Sequence, residues 1–387
     1  MVTGPPPDTP AAQEAHALLI DMQTMKRFLA YVGQGLAILA VGLIVFLLWA
    51  SKGRLSPDQR AQMRTYPGAP QSALPDTVTV MTYNIGYLSG MTNNKPVKRS
   101  DSLFDANMKQ ALSLIGAANP DVIAFQEIDY GGARVAHVHQ LDTVATRLGY
   151  PVGAQAVNWD ESYLPFPYGP PSVHFGRTLS GQSVLSRFPI RDHVRKVLPR
   201  PPQPFYRDAF YLDRLAQVVV LNLGGRAWAL VNLHLEAFHT ETREEQAIVV
   251  KRVYEQLRRA NLPVLVLGDL NSTLAVDRDS ATNAGGNDAT MQTLLEGTDL
   301  QPVFADSSEQ TGSEPPATFP ADQPTRKIDY ILYSPTDVRP VRRDIRCGRP
   351  SPPSDHCAVI ANFRVLEGLR EGPGVDDVPA LDSLLTQ

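Results

Sequence analysis

The apolar positions of this chain gather in short β-branched runs, and several of those runs stop on a polar side chain. Residues 78–86 read Val-Thr-Val-Met-Thr-Tyr-Asn-Ile-Gly, with Asn84 near the end, and residues 121–127 close on Gln126 and Glu127. Residues 264–267 are Val-Leu-Val-Leu, followed at once by Gly268, Asp269, Leu270 and Asn271. Apolar runs of this length, bounded by turn formers, predict buried strands. Residues 181–190, 215–223, 227–235, 328–332 and 358–365 predict more, with Gly224-Gly225 turning 215–223 into 227–235 as a hairpin. Residues 107–118, 141–148 and 241–260 have helical spacing instead; the last carries Ile248, Val249, Val253 and Leu257, with Thr240 and Thr242 as capping residues. Strands interleaved with helices predict an α/β domain, in which ligands collect beyond the strand ends.

One stretch departs from that pattern. Residues 28–50 carry no charge and are flanked by Lys26, Arg27, Lys52 and Arg54. A helix of that length spans about 34 Å, the thickness of a bilayer core. The reading is a transmembrane helix at 28–50; a buried soluble helix and a cleaved signal peptide are the alternatives, and the lack of a clear small-x-small site favours an uncleaved anchor. Lys26 and Arg27 precede the span while Lys52, Arg54, Arg60 and Arg64 follow it, a balance that weakly favours the C-terminal part on the cytoplasmic side. Around the span the chain divides into a flexible or weakly helical tail at 1–27, which contains Pro5-Pro6-Pro7, a Pro/Gly-dotted linker at 51–75, and a catalytic domain at 76–366. An acidic tail at 367–387 reads as disordered, and 275–325, with Gly285-Gly286 and the tract 313–316, reads as loop.

Composition narrows the function classes. The 387 residues, 43% hydrophobic and 20% charged, suffice for one sizeable domain plus appendages. A net charge of -4 and a pI near 6.1 leave no basic footprint for a dedicated nucleic-acid binder, although a nuclease whose metal supplies local positive charge stays open. The two cysteines, Cys347 and Cys357, exclude a disulfide framework and a cysteine-built zinc site.

The polar strand ends are the candidate chemistry. Asp269 and Asn271 are two residues apart and should point to one side, though an Asx turn is the plainer reading of either alone. Glu127 suits a hard cation, since Mg²⁺ takes one or two carboxylates and leaves its other positions to water and phosphate oxygens; capping the next segment is the plainer role. On 229–236, Asn232, His234 and Glu236 share a face, and His234 sits at the far end of its strand as Asn84, Glu127 and Asp269 sit at theirs. Asp329 lies inside an apolar strand and needs a partner, which Ser354-Asp355-His356 offers. Residues 151–180, with Trp159, Tyr163, Phe166, Tyr168 and several prolines, read as a long irregular loop. Within it, His174 and Arg177 are candidates for an anionic substrate, against the plainer reading that the loop satisfies its own polar groups.

The ordered set Thr-Tyr-Asn84, Gln126-Glu127, Leu185-Ser186-Arg187-Phe-Pro-Ile, Asn232-Leu-His234, Gly-Asp269-Leu-Asn271, Ile-Asp329-Tyr-Ile and Ser-Asp355-His356 resembles the endonuclease/exonuclease/phosphatase superfamily, across residues 78–365. That class includes DNase I-like nucleases, neutral sphingomyelinases and inositol polyphosphate 5-phosphatases. The resemblance implies a four-layer α/β sandwich of two packed mixed sheets flanked by helices, here preceded by one transmembrane helix. It implies that Glu127 binds catalytic Mg²⁺, with Mn²⁺ as a substitute, and that Asn84 and Asp355 lie close by. Asp269 would orient or deprotonate the attacking water, Asn271 would hold the phosphate, and Asp329 would keep His356 cationic. His234 would act on the leaving group or the phosphate. The pattern departs at Gln182, where many relatives place Asn or Met. The Asn-x-His-Leu element, the anchor and the aromatic stretch resemble the lipid-remodelling side of the superfamily, which implies a phosphorylated lipid or small phosphate ester as substrate.

Two other readings compete with this one. A membrane-tethered nuclease would use the same chemistry, and a catalytically silent binding module would not use it. Retention of every expected polar position argues against the module. Cys347 and Cys357 flank the Ser354-Asp355-His356 segment and could brace it as a disulfide in an oxidising compartment.

Overall fold

The computed structural model describes residues 10–274, 288–304 and 316–385, so Gly285-Gly286 and residues 313–315 lie outside the described part. It divides into two compact units, Met1–Ser51 and Lys52–Gln387. The first holds helix α1 (Pro10–Ala50), 41 residues long. At 1.5 Å per residue it is about 60 Å in length, roughly twice a bilayer core. Of the two expectations for the tail, the helical one describes it from Pro10 onward: no proline or glycine follows until Gly33, and good helix formers fill residues 11–30. Its stretch 16–50 is apolar enough to cross a membrane, with a mean hydropathy of 2.3 over its most apolar window.

Among the described residues the second unit contains thirteen strands. In chain order they are β1 (Ala61–Thr65), β2 (Thr77–Asn84), β3 (Val122–Asp129), β4 (Val152–Leu164), β5 (Gly176–Ser186), β6 (Ile190–Val197) and β7 (Leu215–Leu223). Then follow β8 (Arg226–His234), β9 (Val264–Asp269), β10 (Gln301–Pro302), β11 (Asp329–Tyr333), β12 (Val338–Arg346) and β13 (Ala358–Val365). The helices are α2 (Asp101–Ala118), α3 (Gln140–Leu148), α4 (Phe205–Asp208), α5 (Thr240–Arg259), α6 (Thr290–Leu295), α7 (Glu367–Arg370) and α8 (Leu381–Leu385). One sheet runs β1-β4-β5-β3-β2-β13-β12 and the other β10-β11-β9-β8-β7-β6.

Alternation along the strands explains why the sheets stack. Val78 and Val80 of β2 and Val122 and Ala124 of β3 join Trp228, Leu230, Leu265 and Leu267 in a core between the sheets. The intervening Met81, Tyr83, Ile123 and Phe125 pack outward with Leu114 and Ile115 of α2 and Leu141 and Val144 of α3. On the far side, Val231, Leu233, Val264 and Val266 meet Val250, Val253 and Leu257 of α5. These three apolar layers between four layers of elements are the expected α/β sandwich.

Several boundaries differ from the sequence reading. The supposed linker 51–75 contains β1, which pairs antiparallel with β4 from Ala61 opposite Ala156 to Thr65 opposite Val152. Its composition is polar because an edge strand is only half covered. The aromatic stretch is mostly the β4–β5 hairpin, and only 165–175 is irregular; the alternation of Val157 and Trp159 with Asn158 and Asp160 is a strand signal that the later prolines obscured. Helix α5 is capped by His239, whose side chain accepts from Thr242 N, in place of the expected threonines. The 367–387 tail is folded up to Leu385: Leu369, Val375, Val378, Leu381 and Leu385 are buried. Apolar residues spaced through a Gly/Pro-rich sequence were enough to dock it without long regular elements.

Candidate active site

Sheet register assembles the reacting groups. In the second sheet, His234 of β8 pairs across to Asp269 of β9, and Asp269 is opposite Asp329 of β11, so three adjacent strands end in one row. In the first sheet, Asn84 ends β2 beside Gln126 of β3, and Asp355 and His356 lie just before β13, which is antiparallel to β2. The two rows face each other at the same edge of the sandwich, where the side chains meet. Asn84 Nδ2 donates to Asp269 Oδ2 at 2.9 Å, and His356 Nδ1 lies 3.0 Å from Asp329 Oδ2. Beneath them, a buried amide network ties the sheets: Gln126 Nε2 donates to Asn232 Oδ1 at 2.6 Å, and Asn232 Nδ2 donates to Phe125 O and Gln217 Oε1. Such a network, fully enclosed, fixes how one sheet sits on the other.

Glu127 reaches this edge through a break in alternation. Val122, Ala124 and Gln126 face the other sheet, so Glu127 should face the helices with Phe125. Instead the β3–β5 register slips between Phe125 and Ile128, so Gln126 and Glu127 together oppose Gln182, and Glu127 adopts φ +49°. A β-bulge with a left-handed residue re-aims one side chain at a local cost of about 1 kcal/mol or more. Glu127 Oε2 then accepts from Asn93 Nδ2 at 2.8 Å, and the same amide lies 3.2 Å from Asp355 Oδ1. Gly86, at φ +54°, makes room for this: a Cβ there would sit 2.7 Å from Asp355 Oδ1.

The electrostatics separate the groups into roles. Burial pushes the Asp269 carboxyl up to about 7, with His356 pulling it down and Asp329 adding to the rise. His356 is buried too, but the carboxylates of Asp329 and Asp269 hold its ring well above the usual imidazole range, hence protonated. His234 goes the other way: burial, then the charges of Arg214 and His356, keep it neutral. Its Nε2 lies 3.6 Å from Asp269 Oδ2 and 3.8 Å from Glu127 Oε1, and its Nδ1 is buried without a partner.

Two groups of residues offer ligand atoms to a cation. Asp269, Asp329 and His356 do so within 4.8 Å of one another, but a protonated His356 already bonded to Asp329 has no lone pair to give. Glu127 and Asp355 fit better. Burial and the charge of Glu127 push the Asp355 carboxyl up to about 6, and Asn93 Oδ1 is buried with no partner. Two like-charged carboxylates sharing one amide, beside an orphaned carbonyl oxygen, have the donor set of a hard divalent cation.

The sequence candidates are distributed accordingly. Asn84, Glu127, His234, Asp269, Asp329, Asp355 and His356 converge. Asn271 adjoins them, but φ +49° turns it out of strand alternation: its N–H bonds Asp269 Oδ1 at 3.0 Å and its Nδ2 bonds Leu235 O. His174 and Arg177 do not join the cluster. His174 bonds Tyr163 Oη and Gly169 O, and Arg177 bonds Asp160, Glu161 O and Thr178 O, which is the plainer reading of that segment. Asn84 bonds Asp269 and not the carboxylate pair, where Asn93 stands instead. Asn93 and Arg214 were not singled out in the sequence. Asn93 lies in a polar loop with no periodicity, whereas Ser354, whose Oγ donates to Asn84 O and accepts from His356 N, opened the Ser354-Asp355-His356 motif but was given no role of its own. The Cys347–Cys357 disulfide closes the segment that bears Ser354, Asp355 and His356.

Comparison with known proteins bears on the fold and the family. No curated protein sequence matches the chain significantly. Among solved structures, an endonuclease/exonuclease/phosphatase from Beutenbergia cavernae DSM 12333 is similar at TM-score 0.51 and 20% identity, covering 76% of this chain and 72% of that one. The human Nocturnin catalytic domain with bound sulfate anion is similar at TM-score 0.52 and 18% identity, over 80% of this chain and 100% of that one. TDP2 of D. rerio, complexed with a single strand DNA product, gives 0.52 and 13%, over 75% and 99%. These likenesses establish the shared fold, and the sequence profile of the Endonuclease/Exonuclease/phosphatase family matches residues 81–356. The chain thus belongs to the Endonuclease/Exonuclease/phosphatase family, a family of hydrolases that act on phosphoester bonds and are typically metal-dependent.

Proposed function

We propose that this chain is a membrane-anchored, Mg²⁺-dependent hydrolase that directs water onto the phosphate of a lipid or small phosphate ester. The observation that carries the reading is the cluster at one sheet edge: His356 Nδ1 lies 3.0 Å from Asp329 Oδ2 and its Nε2 3.7 Å from Asp269 Oδ2, next to the Glu127 and Asp355 carboxylates that share the Asn93 amide. Glu127 and Asp355, with Asn93 Oδ1, would hold the Mg²⁺, which when bound supplies positive charge to phosphate oxygens. Asp269 accepts a proton from water as the water oxygen bonds to phosphorus and the ester P–O bond breaks, and the leaving oxygen takes up a proton from solvent. His356 keeps its proton and faces the charge that develops on the phosphate oxygens, worth the most in a buried site. Neutral His234 suits a hydrogen bond to a phosphate oxygen, and Asn84 and Asn271 steer Asp269 through its two oxygens.

The anchor reading rests on the apolar stretch of α1, and a tethered enzyme meets lipid esters without diffusion through solution. The Cys347–Cys357 bond supports an oxidising compartment for the domain, opposite to the lysine and arginine count around the span. The test uses the full chain in detergent against phospholipids, inositol phosphates, DNA and RNA. Expected is release of phosphate or phosphorylated headgroup from one class, abolished by EDTA and restored by Mg²⁺. Acid-soluble nucleotides with a steep salt dependence would move the assignment to the nuclease reading, with the D. rerio TDP2 product complex as its precedent. No hydrolysis of any class by folded, Mg²⁺-loaded protein would overturn the proposal.

A further inference from the structure

Among the described residues of the second unit, the phenylalanine, tyrosine and tryptophan side chains are buried or half-buried with four exceptions. Phe238 is 90% exposed and Phe205 76%, and Tyr168 and Tyr206 are exposed as well. Single apolar residues on a surface are ordinary, but these four share one edge. Tyr168 lies in the β4–β5 connection, which leaves the sheet where Trp159 and Ser180 stand level with Asp129 at the end of β3. Phe205 and Tyr206 lie in the β6–β7 connection, whose flanking pair, Val197 and Leu215, is level with His234. Phe238 follows His234 by four residues. This is the edge that carries the reacting groups.

The connections hold one another in place. Trp159 Nε1 donates to Phe210 O at 2.9 Å, and Phe210 and Leu212 pack with Leu164, Phe166 and Phe175 of the hairpin. Tyr211 Oη donates to Glu236 Oε2 at 2.7 Å, and the other oxygen of that buried carboxylate accepts from Phe238 N at 3.0 Å. On the other flank the Arg99 guanidinium lies 5.6 Å over the Phe175 ring, and Pro96 is near enough to Gly169 that an added Cβ there would come within 3.9 Å of it. The exposed stretch 95–98 reads Lys-Pro-Val-Lys and begins two residues after Asn93, which joins Glu127 to Asp355. Exposed rings on braced loops, flanked by lysines, have the composition of side chains that settle at a membrane–water interface.

The chain also enters the second unit at this edge. Lys52, its first residue, is fixed on β4: the Lys52 carbonyl accepts from Ser162 Oγ at 2.8 Å, and the N–H groups of Arg54 and Leu55 donate to Asp160 Oδ2 at 2.7 and 2.8 Å. The apolar stretch of α1 ends at Ala50, so Ser51 alone stands between that stretch and Lys52. One residue spans at most about 3.6 Å, which leaves no slack for a long tether.

We propose that Tyr168, Phe205, Tyr206 and Phe238, with Val97 between Lys95 and Lys98, seat this edge on the surface of the lipid bilayer that holds α1, so that the reacting groups meet an ester lying in the membrane. This docking rests on the membrane-anchor reading and extends it: the bilayer becomes a surface that the second unit binds, beyond being the place where α1 is held.

The test reads position and needs no turnover. Full chain carrying Phe238→Cys, Tyr168→Cys or, as the reference on edge strand β12, Val341→Cys is labelled without reductant by a small environment-sensitive dye. It is then reconstituted into nanodiscs of phosphatidylcholine and phosphatidylserine, which leave both faces of the bilayer open to solvent. Expected is quenching by nitroxide-bearing lipid at 168 and 238, with iodide quenching there about threefold or more below its value at 341. A chain that co-elutes with the discs but leaves 168 and 238 no better shielded than 341 overturns the docking and keeps the anchor. A chain that does not enter the discs overturns both. Labels shielded from iodide yet untouched by the nitroxide lipid would place protein, such as a second copy of this chain, on the edge and overturn the bilayer as its occupant. Docking as expected in a chain that hydrolyses no ester would sink the enzymatic reading and leave the docking standing.

Discussion

Asp329 sits opposite Asp269 on neighbouring strands, both almost fully buried, and two carboxyls so placed tolerate each other because His356 lies against both. Its Nδ1 is 3.0 Å from Asp329 and its Nε2 is 3.7 Å from Asp269, so a proton on the ring offsets the charge of both, while burial pushes the Asp269 carboxyl up to about 7. Asp329→Asn removes the charge that holds the proton on His356 but keeps the shape. The expected outcome is a fall in kcat on the order of 100-fold or more with KM within a few-fold, read from steady-state kinetics. Unchanged kcat would take Asp329 out of the mechanism. At this scale the sequence was readable where an acid interrupted an apolar strand, since burying it demanded a partner. It was silent on Asn93, whose place between Glu127 and Asp355 comes from a loop fold that no spacing announces.

The strand ends depend on two backbone irregularities. The bulge at Gln126 and Glu127 turns a carboxylate that alternation would have sent to the helix side, and Gly268, at φ +139°, lets β9 lie against β8 where a Cβ would come 2.0 Å from Leu233 O. Gly268→Ala must therefore push β9 off β8 beside both His234 and Asp269. We expect a loss of about 2–3 kcal/mol in stability, seen as a lower midpoint in urea, and an activity loss larger than the stability loss accounts for. Native stability in that variant would mean the strand pair yields more freely than its register implies. Strand and helix positions were legible from their periods of two and 3.6. The edge strand β1 and the docked tail were not: each is polar or Gly/Pro-rich, and each is ordered only by what it packs on.

For the molecule as a whole, the joining of Cys347 to Cys357 and the apolar stretch of α1 bear on sidedness together. If the domain resides in an oxidising compartment, neither thiol should react with maleimide in native protein prepared without reductant, and both should react after reduction. Labelling of both thiols before reduction would return the domain to the cytoplasmic side that the Lys and Arg count favours. The sequence by itself determined the α/β class, the long apolar segment and the order of polar strand ends, because hydrophobic periodicity and strand-end chemistry are local properties. Only the tertiary structure decided which of those ends meet. Register across β8, β9 and β11, and the stacking of one sheet on the other, bring together residues as far apart as Asn84 and His356, a choice made by non-local packing and the buried Gln126–Asn232 bond.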